Sequence, residues 1–493
     1  MITDINPMCL IDGYKADHRR QYPAGTEYVY SNFTPRQSRI AGIDEVVFFG
    51  LQYFVKEYLI ERWNKGFFEK PKEQVLREYK RRMDNYLGVD AIPCEHIAEL
   101  HDLGYLPIRI KAISEGRLVP IGVPVFTIVN TMPKFFWLTN YFETLMSNIM
   151  WKPITSATTA FQYRKRLEEY AEKTGYDKSF IQWQGHDFSF RGMSGNEDAL
   201  LSGAAHLLSF TGTDTIPAID FLEKYYNADS DKELIGGSVP ATEHSVMSLG
   251  EKEGEINTFK RLITELYPNG IVSIVSDTWD FWKVMTEYLP ALKNEILARD
   301  GRVVIRPDSG DPVKIICGDD ETPESLITES QRKGAYEILW DIFGGEINKK
   351  GYKVLHPKVG LIYGDSITLE RQKLILEKLE VKGFSASNLV FGIGSYTYEY
   401  VTRDTFGFAM KATWGQVNGE ARDIFKNPKT DSGFKKSAKG LLYVYSDVDK
   451  LHLEDQVTRE VENYGELETV FEDGKLVTET SLSEIRQRIN SQL

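Results

Sequence analysis

The segment 271–277, Ile-Val-Ser-Ile-Val-Ser-Asp, sets the pattern of the central part of the chain. A short run rich in β-branched residues predicts a buried strand, and the run stops at an aspartate. Three later runs repeat this pattern: 303–305 before Arg306-Pro307-Asp308-Ser309-Gly310, 359–363 before Gly364-Asp365, and 389–391 before Gly392-Ile393-Gly394. The spacing of apolar residues predicts an amphipathic helix over 369–379, between two of these strands.

Strands that alternate with helices predict an α/β fold with a parallel sheet, because parallel neighbours need crossover connections. In such folds, ligands bind at the carboxyl ends of the strands. The polar residues that follow the four runs all fall at those ends. Loops are generally polar, and this tendency alone easily explains one such turn. It explains poorly four turns that carry Asp, Arg-Asp, Gly-Asp and Gly-x-Gly. We therefore expect a ligand site at this edge of the sheet.

The alternation of strands and helices starts near residue 180 and stops near residue 411, where strand-like pieces alternate with turns instead. We predict two domains from this change of pattern. An α/β barrel-like catalytic domain covers 151–410, and a mixed α+β domain joins 1–150 to 411–493.

Composition excludes several classes of protein. The chain has 493 residues, 42% of them hydrophobic, which is typical of a globular protein with a large core. Its formal charge of −13 argues against non-specific nucleic-acid binding. The three cysteines, Cys9, Cys94 and Cys317, are far apart and form no CxxC, so neither a disulfide framework nor a zinc ribbon is expected. The sequence has neither a signal-peptide pattern nor a long apolar run, so we expect no membrane span and a cytoplasmic protein.

His244 lies in 236–245, Gly-Gly-Ser-Val-Pro-Ala-Thr-Glu-His-Ser. Small residues let a backbone come close to a ligand. An imidazole accepts a proton, or a phosphoryl group, near neutral pH. A lone loop histidine is ordinarily structural, but the polar strand ends elsewhere in the chain favour a functional role here.

Arg306 and Asp308 share one short turn at a strand end. An arginine there offers a bidentate grip on a phosphate, and the aspartate can accept a sugar hydroxyl or hold a water of Mg²⁺. Asp277 and Asp365 add two carboxylates from neighbouring strand ends. Three carboxylates with arginines predict a pocket for a phosphorylated sugar bound with Mg²⁺. The Gly394-Ser395 backbone can direct N–H groups at a phosphate, although a GxG alone is more often a tight turn.

Two further motifs predict contacts to a planar ligand. In 186–192, His-Asp-Phe-Ser-Phe-Arg-Gly, Phe188 either stacks on a ring or packs in the core. Asp214, in Gly-Thr-Asp-Thr at 212–215, is either a helix N-cap or an acceptor that prefers an amide NH₂ to a carboxylate. The basic stretch 425–439 is either a solvated loop or a surface that attracts a polyphosphate.

These motifs, in this order, resemble the nicotinamide phosphoribosyltransferase family. The pieces that carry the resemblance are LIDGYK (10–15), QYP (21–23), HDFSFRG (186–192), GTDT (212–215), SVPATEHS (238–245), IRPDSG (305–310), GD (364–365), TRD (402–404) and EIR (484–486). The resemblance implies a type II phosphoribosyltransferase fold, an irregular α/β barrel with a second mixed α+β domain from both chain ends. It also implies a homodimer with active sites at the interface. The implied reaction makes nicotinamide mononucleotide and pyrophosphate from nicotinamide and phosphoribosyl pyrophosphate.

The resemblance also assigns roles to residues. His244 would be phosphorylated by ATP, and Asp214 would receive the carboxamide NH₂. Phe188 would sandwich the pyridine ring with Tyr14 of the partner subunit, with Arg191 near the ring and the pyrophosphate. The remaining expected site residues are the carboxylates Asp277, Asp308 and Asp365 for ribose and Mg²⁺; Arg306, Gly364, Gly394, Ser395 and Arg403 around the phosphates; Ser238 and Ser273 in the substrate site; and Lys411, Lys426 and Lys435 as basic contacts to pyrophosphate and nucleotide.

Two departures from the family and two alternatives remain at this stage. Animal members have a longer glycine run where this chain has Gly394-Ser395-Tyr396, and the region 36–39 is shorter here. The first alternative is a nicotinate phosphoribosyltransferase, which Asp214 disfavours because like charges repel. The second is a non-catalytic binding or signalling protein on the same fold, which fold alone does not exclude.

Overall fold

A computed structural model describes residues 5–364, 366–425, 438–448 and 450–493. The chain forms two compact units. One unit consists of Thr159–Phe221 and Asp229–Tyr400, and we call it the parallel-sheet unit. The other, which we call the terminal unit, consists of Met1–Thr158, Leu222–Ala228 and Val401–Gln492.

The parallel-sheet unit is built on a six-stranded sheet. Its strands lie in the spatial order Gly212–Thr213, Gly185–Asp187, Leu389–Ile393, Val359–Tyr363, Asp300–Arg306, Asn269–Val275. Every neighbouring pair is parallel. The α/β fold with a parallel sheet is thereby confirmed, and the four runs that predicted it lie in the last four of these strands.

The segment 236–242 connects the two edges of this sheet. Gly237 forms a parallel bridge to Gly212 at one edge, and Ala241 forms a parallel bridge to Ser273 at the other. The Gly237 N–H donates to Thr211 O at 2.8 Å, and the Thr242 N–H donates to Ser273 O at 3.0 Å. The sheet therefore closes into a barrel, and the segment that closes it leads directly to His244.

Helices surround this sheet. The longer ones are Asn196–His206, Pro217–Tyr226 (shared with the terminal unit), Glu255–Arg261, Lys293–Ala298, Pro312–Cys317, Ala335–Phe343 and Leu369–Val381. The last confirms the helix predicted over 369–379, and its residues Ile375 and Leu379 are buried. Leu361 and Phe391, on neighbouring strands, have no exposed surface. Burying each such side chain stabilises the fold by about 1.5–3 kcal/mol.

The terminal unit contains a seven-stranded antiparallel sheet. Its strands lie in the order Glu420–Asp423, Ala409–Val417, Thr26–Thr34, Phe126–Asn130, Ile108–Ala112, Glu468–Glu472, Lys475–Leu476. Strands from both ends of the chain thus pair in one sheet. Its main helices are Lys72–Leu87, Glu95–Leu103 and Leu482–Asn490.

The unit boundaries differ from the sequence boundaries at 150 and 410. A single helix, Glu143–Thr174, runs through residue 150, and the division at Thr158 falls inside it. A change of sequence pattern does not mark such a division, because the helix continues across it. In the described ranges, no helix is long and apolar enough to cross a membrane.

Candidate active site

A cavity of about 830 Å³ opens at the carboxyl ends of the parallel strands. That volume is within the range of small-molecule sites. The cavity is lined by Phe188, Arg191, Asp214, Ala241, Thr242, Glu243, His244, Ser245, Arg306, Asp308, Gly364, Gly394 and Ser395. Nine of these were expected from the sequence, and they come from six separate stretches of chain. The strand ends therefore converge on one cavity, and its role as a ligand site stays a prediction.

Phe188 and Asp214 line the cavity just after the ends of two neighbouring strands. Phe188 is half-buried just after the strand Gly185–Asp187, and its N–H donates to Ile393 O at 3.0 Å. Asp214 follows the strand Gly212–Thr213, and its N–H donates to Asp187 O at 2.9 Å. Backbone hydrogen bonds thus fix an aromatic face and a carboxylate next to each other.

Two side chains hydrogen-bond to the Asp214 carboxylate. His186 Nε2 lies 2.8 Å from Asp214 Oδ1, and Ser238 Oγ donates to the same oxygen at 2.9 Å. Burial raises the pKa of Asp214, but these hydrogen bonds and the nearby Arg306 charge outweigh it, so the pKa lies below its usual value. Asp214 is therefore ionised at neutral pH and offers acceptors only.

His244 stands at the start of the helix His244–Ser248, with about half of its side chain exposed to the cavity (52%). Its Nε2 lies 3.3 Å from Asp277 Oδ1. The other oxygen of Asp277 accepts from the Asp308 N–H at 3.0 Å and from Ser309 Oγ at 2.6 Å. The Asp277 side chain is only 5% exposed, and its contact with Nε2 fixes the orientation of the imidazole.

Arg306 and Asp308 also line this cavity, at the end of the strand Asp300–Arg306 and in the turn that follows it. Arg306 Nη2 donates to Thr242 O at 2.7 Å, and Arg306 Nε lies 3.5 Å from Asp308 Oδ1. Gly364 packs against this pair, since a Cβ there would lie 2.1 Å from Asp308 Oδ1. Only glycine leaves room for the carboxylate at this position.

Ser395 begins the short helix Ser395–Tyr398 and lines the cavity together with Gly394. Tyr396, the residue that departs from the family's glycine run, is not among the lining residues. Its ring contacts that of Tyr400, with the centroids 4.8 Å apart and the planes tilted by 42°, and is about half exposed. In this stretch of chain, the cavity is therefore lined by Gly394 and Ser395, and Tyr396 does not line it.

A second cavity of about 420 Å³ shares Phe188, Asp214 and Arg306 with the first. Its other walls are the inner faces of the strands, which include Ser273, Val304 and Ile362. The expected residues Ser238 and Ser273 line this cavity. The part of the first cavity that Phe188 and Asp214 line is thus continuous with the interior of the barrel.

Six expected site residues are not among those described above. Asp365, Lys426 and Lys435 are outside the described residues. Tyr14, Arg403 and Lys411 belong to the terminal unit: Tyr14 is 60% exposed on the turn Gly13–Asp17, Arg403 is exposed at the start of Arg403–Thr405, and Lys411 lies opposite Asn32 on a strand. Their roles stay predictions from the resemblance.

Sequence reasoning gave no role to His186, Thr242 or Ser309. In the structure, His186 hydrogen-bonds to Asp214, the Thr242 carbonyl accepts from Arg306, and the Ser309 hydroxyl donates to Asp277. The motifs HDFSFRG and SVPATEHS contained two of these residues. What was missing was the register of the strands, which decides whether a neighbour in sequence also points into the site.

Comparisons with known proteins agree with this geometry. The family described as "Nicotinate phosphoribosyltransferase (NAPRTase) family" matches residues 183–475, and "Nicotinamide phosphoribosyltransferase, N-terminal domain" matches residues 6–110. A nicotinamide phosphoribosyltransferase of Acinetobacter baylyi is 59% identical, covering 99% of this chain and 98% of that protein. One of Xanthomonas campestris is 33% identical, covering 96% of each.

Solved structures share the fold at low identity. The nicotinate-nucleotide pyrophosphorylase of Pyrococcus furiosus has a TM-score of 0.59 at 15% identity, covering 99% of this chain and 95% of that one. Human nicotinic acid phosphoribosyltransferase has a TM-score of 0.52 at 14% identity, covering 97% and 93%. The fold is that of the type II phosphoribosyltransferases, and with the near full-length match to relatives at 59% and 33% identity, the chain belongs to the nicotinate phosphoribosyltransferase family, in its nicotinamide phosphoribosyltransferase branch.

Proposed function

We propose that the protein transfers the phosphoribosyl group of phosphoribosyl pyrophosphate to nicotinamide, forming nicotinamide mononucleotide and pyrophosphate for NAD biosynthesis. One observation carries this proposal: a single cavity is lined both by an aromatic–carboxylate pair, Phe188 and Asp214, which we call the base site, and by an arginine–carboxylate–glycine cluster, Arg306, Asp308, Gly364 and Gly394, which we call the phosphate site. The first suits a planar amide and the second suits phosphates. The names of the similar proteins support the same substrate pair.

The base site selects the uncharged amide. Phe188 offers its face to the pyridine ring, and the ionised Asp214 accepts a hydrogen bond from the carboxamide NH₂. The ring nitrogen then forms a bond to C1 of the ribose as the bond from C1 to the pyrophosphate oxygen breaks, and the electron pair leaves with pyrophosphate. Positive charge that develops on the ribose is stabilised by nearby carboxylates, of which Asp308 lines the cavity.

The phosphate site supplies cationic and backbone contacts. Arg306 is the cation that lies beside Asp308, and Gly394, where a Cβ would meet no atom within 4 Å, leaves room for oxygens close to the backbone. Asp308 fits Mg²⁺ as an oxygen ligand beside substrate phosphates, whereas both Asp277 oxygens already accept hydrogen bonds. Among the described residues, no group of three acidic, histidine or cysteine side chains could hold a metal, so the pyrophosphate would provide most ligands. Bound Mg²⁺ would offset the charge of the leaving pyrophosphate.

We propose that ATP phosphorylates His244. When Nε2–H donates to Asp277 Oδ1, the lone pair of the imidazole lies on Nδ1. A bond forms from Nδ1 to the γ-phosphorus of ATP as the bond from that phosphorus to the oxygen bridging the β- and γ-phosphates breaks, and the electron pair leaves with ADP. Phosphorylation adds negative charge close to the sites of Mg²⁺ and of the cationic ribose, so it couples ATP hydrolysis to substrate affinity.

The remaining proposals concern the terminal unit. The resemblance assigns Tyr14 of the partner subunit to the other face of the pyridine ring in a homodimer. Arg403 and Lys411 are exposed or partly exposed cations on the same unit as Tyr14. Their charges suit the pyrophosphate and ATP.

Replacing Asp214 by serine or asparagine is expected to relax the preference for the amide. Either change removes the negative charge that repels nicotinate, and the ratio of kcat/KM for nicotinamide to that for nicotinate should fall by about 10- to 100-fold. Steady-state kinetics with each base measure this ratio. Asp341→Ser, which removes an exposed carboxylate outside the cavities, is the matched control. An unchanged ratio in both Asp214 variants would contradict the role given to this carboxylate.

The proposed activity itself is tested by product identification. The protein is incubated with nicotinamide, phosphoribosyl pyrophosphate and Mg²⁺, and the nucleotide is identified by mass spectrometry. Nicotinamide mononucleotide and stoichiometric pyrophosphate are the expected products. Binding of both substrates without any nucleotide would favour the non-catalytic alternative.

A further inference from the structure

His186 contacts both residues of the base site. Its Nε2 lies 2.8 Å from Asp214 Oδ1, and its ring centroid lies 4.5 Å from that of Phe188. The side chain is only 11% exposed. A buried imidazole that touches the acceptor and the stacking face at once is well placed to control how a base binds.

The two oxygens of Asp214 are used differently. His186 and Ser238 both hydrogen-bond to Oδ1. Because the carboxylate is ionised and can only accept, His186 Nε2 must carry the proton of this bond. Among the described residues, none donates to Oδ2. That oxygen is therefore the one available to a ligand N–H.

The imidazole is itself held in one orientation. His186 lies in the strand Gly185–Asp187, opposite Gly212 on one neighbour and Gly392 on the other. A Cβ at Gly212 would lie 2.8 Å from His186 Nδ1, so the ring packs against a backbone that carries no side chain. Packing on the glycine and on Phe188 fixes the ring plane, and the hydrogen bond then fixes Asp214.

We propose that His186 is the positioning residue of the base site: by occupying Asp214 Oδ1, it turns Oδ2 toward the carboxamide and sets the preference for nicotinamide over nicotinate. This inference rests on the proposed function. His186 acts through Asp214 and takes no part in bond formation. Its effect should therefore appear in the KM for the base and in the ratio between bases, with little change in kcat.

The charge balance of Asp214 supports this assignment. Burial favours the neutral acid, and the hydrogen bond from His186 is the largest of the effects that oppose burial. Loss of that bond would raise the pKa of Asp214 and leave Oδ1 without its contact to His186, so the carboxylate would lose a contact that fixes its orientation.

The test compares His186→Met, which keeps much of the volume without a donor, with His186→Gln, which restores an N–H donor at similar reach. For the methionine variant we expect the KM for nicotinamide to rise about tenfold or more, with kcat within about threefold. The ratio of kcat/KM for the two bases should move toward nicotinate by a similar factor. The glutamine variant should recover most of the wild-type ratio. His206→Gln is the control, because this second buried imidazole bonds to Tyr398 and Gly212 O instead of Asp214.

Thermal unfolding midpoints establish that the compared proteins are folded. If the methionine variant does not fold, His186→Asn replaces it, because its shorter amide does not reach Asp214 as the imidazole does. The proposal would be overturned if His186→Met or His186→Asn kept the wild-type ratio of kcat/KM for the two bases. It would also be overturned if His186→Met and His186→Gln had the same ratio. Wild-type protein is assayed in parallel. If it forms no nicotinamide mononucleotide, the proposed function fails, whereas an active wild type with unaltered His186 variants defeats this inference alone.

Discussion

His244→Ala is expected to abolish the stimulation of the reaction by ATP while slow basal transfer persists. The imidazole is the nucleophile that accepts the γ-phosphoryl group in the proposed coupling, and alanine offers none. The base site and the phosphate site consist of other residues, so both substrates should still bind. Initial rates with and without ATP, together with acid-labile phosphate on the protein, measure the effect.

A second histidine provides the control for this experiment. His356 lies in the same unit and lines neither cavity. His356→Ala should therefore retain the full response to ATP. Full ATP stimulation in His244→Ala, or acid-labile phosphate at an unchanged level, would defeat the phosphohistidine proposal. Loss of basal transfer as well would assign His244 to the transfer step itself.

Arg306→Ala is expected to lower kcat/KM for phosphoribosyl pyrophosphate by about 10²–10³-fold, because hydrogen bonds to charged groups contribute about 1.5–3 kcal/mol each. The change removes a cation from the phosphate site. It also removes the hydrogen bond to Thr242 O, two residues before His244. We therefore expect weaker ATP coupling in the same variant. Steady-state kinetics with varied phosphoribosyl pyrophosphate measure both effects.

Arg306→Lys separates charge from geometry. Lysine keeps the positive charge but lacks the planar pair of donors, so it should restore only part of the lost kcat/KM. Arg332→Ala, which changes an arginine outside both cavities, should leave the kinetics unchanged. A loss smaller than about fivefold in Arg306→Ala would place the phosphates elsewhere.

The sequence was sufficient for four of the six strands of the parallel sheet, because each of these four reads as a short apolar run that is largely buried. In Val359–Tyr363 every residue is buried, so the strand and its polar end are visible without knowledge of its neighbours. The same logic predicted that the strand ends that carry Asp308 and Gly364 converge. By contrast, the closure of the barrel by 236–242 depends on isolated bridges at Gly237 and Ala241, which leave no apolar run in the sequence.

Some roles in the site were not predicted from the sequence, because they depend on where a side chain lies in the fold and not on its residue type. His186 is next to Asp187 in the chain, yet its partner is Asp214, just after the adjoining strand. Which of two neighbouring side chains faces the ligand follows from strand register, and register follows from tertiary pairing. The same holds for Asp277, where sequence suggested ribose and Mg²⁺ and the contacts favour orientation of His244.

The most direct measurement is a competition between the two bases in one reaction. Equal concentrations of nicotinamide and nicotinate are mixed with limiting phosphoribosyl pyrophosphate, Mg²⁺ and wild-type protein, and both mononucleotides are quantified. Because Asp214 is ionised and accepts hydrogen bonds only, nicotinamide mononucleotide is expected in large excess, with or without ATP. Nicotinate mononucleotide in equal or greater amount would contradict the assignment of this cavity to a neutral pyridine amide.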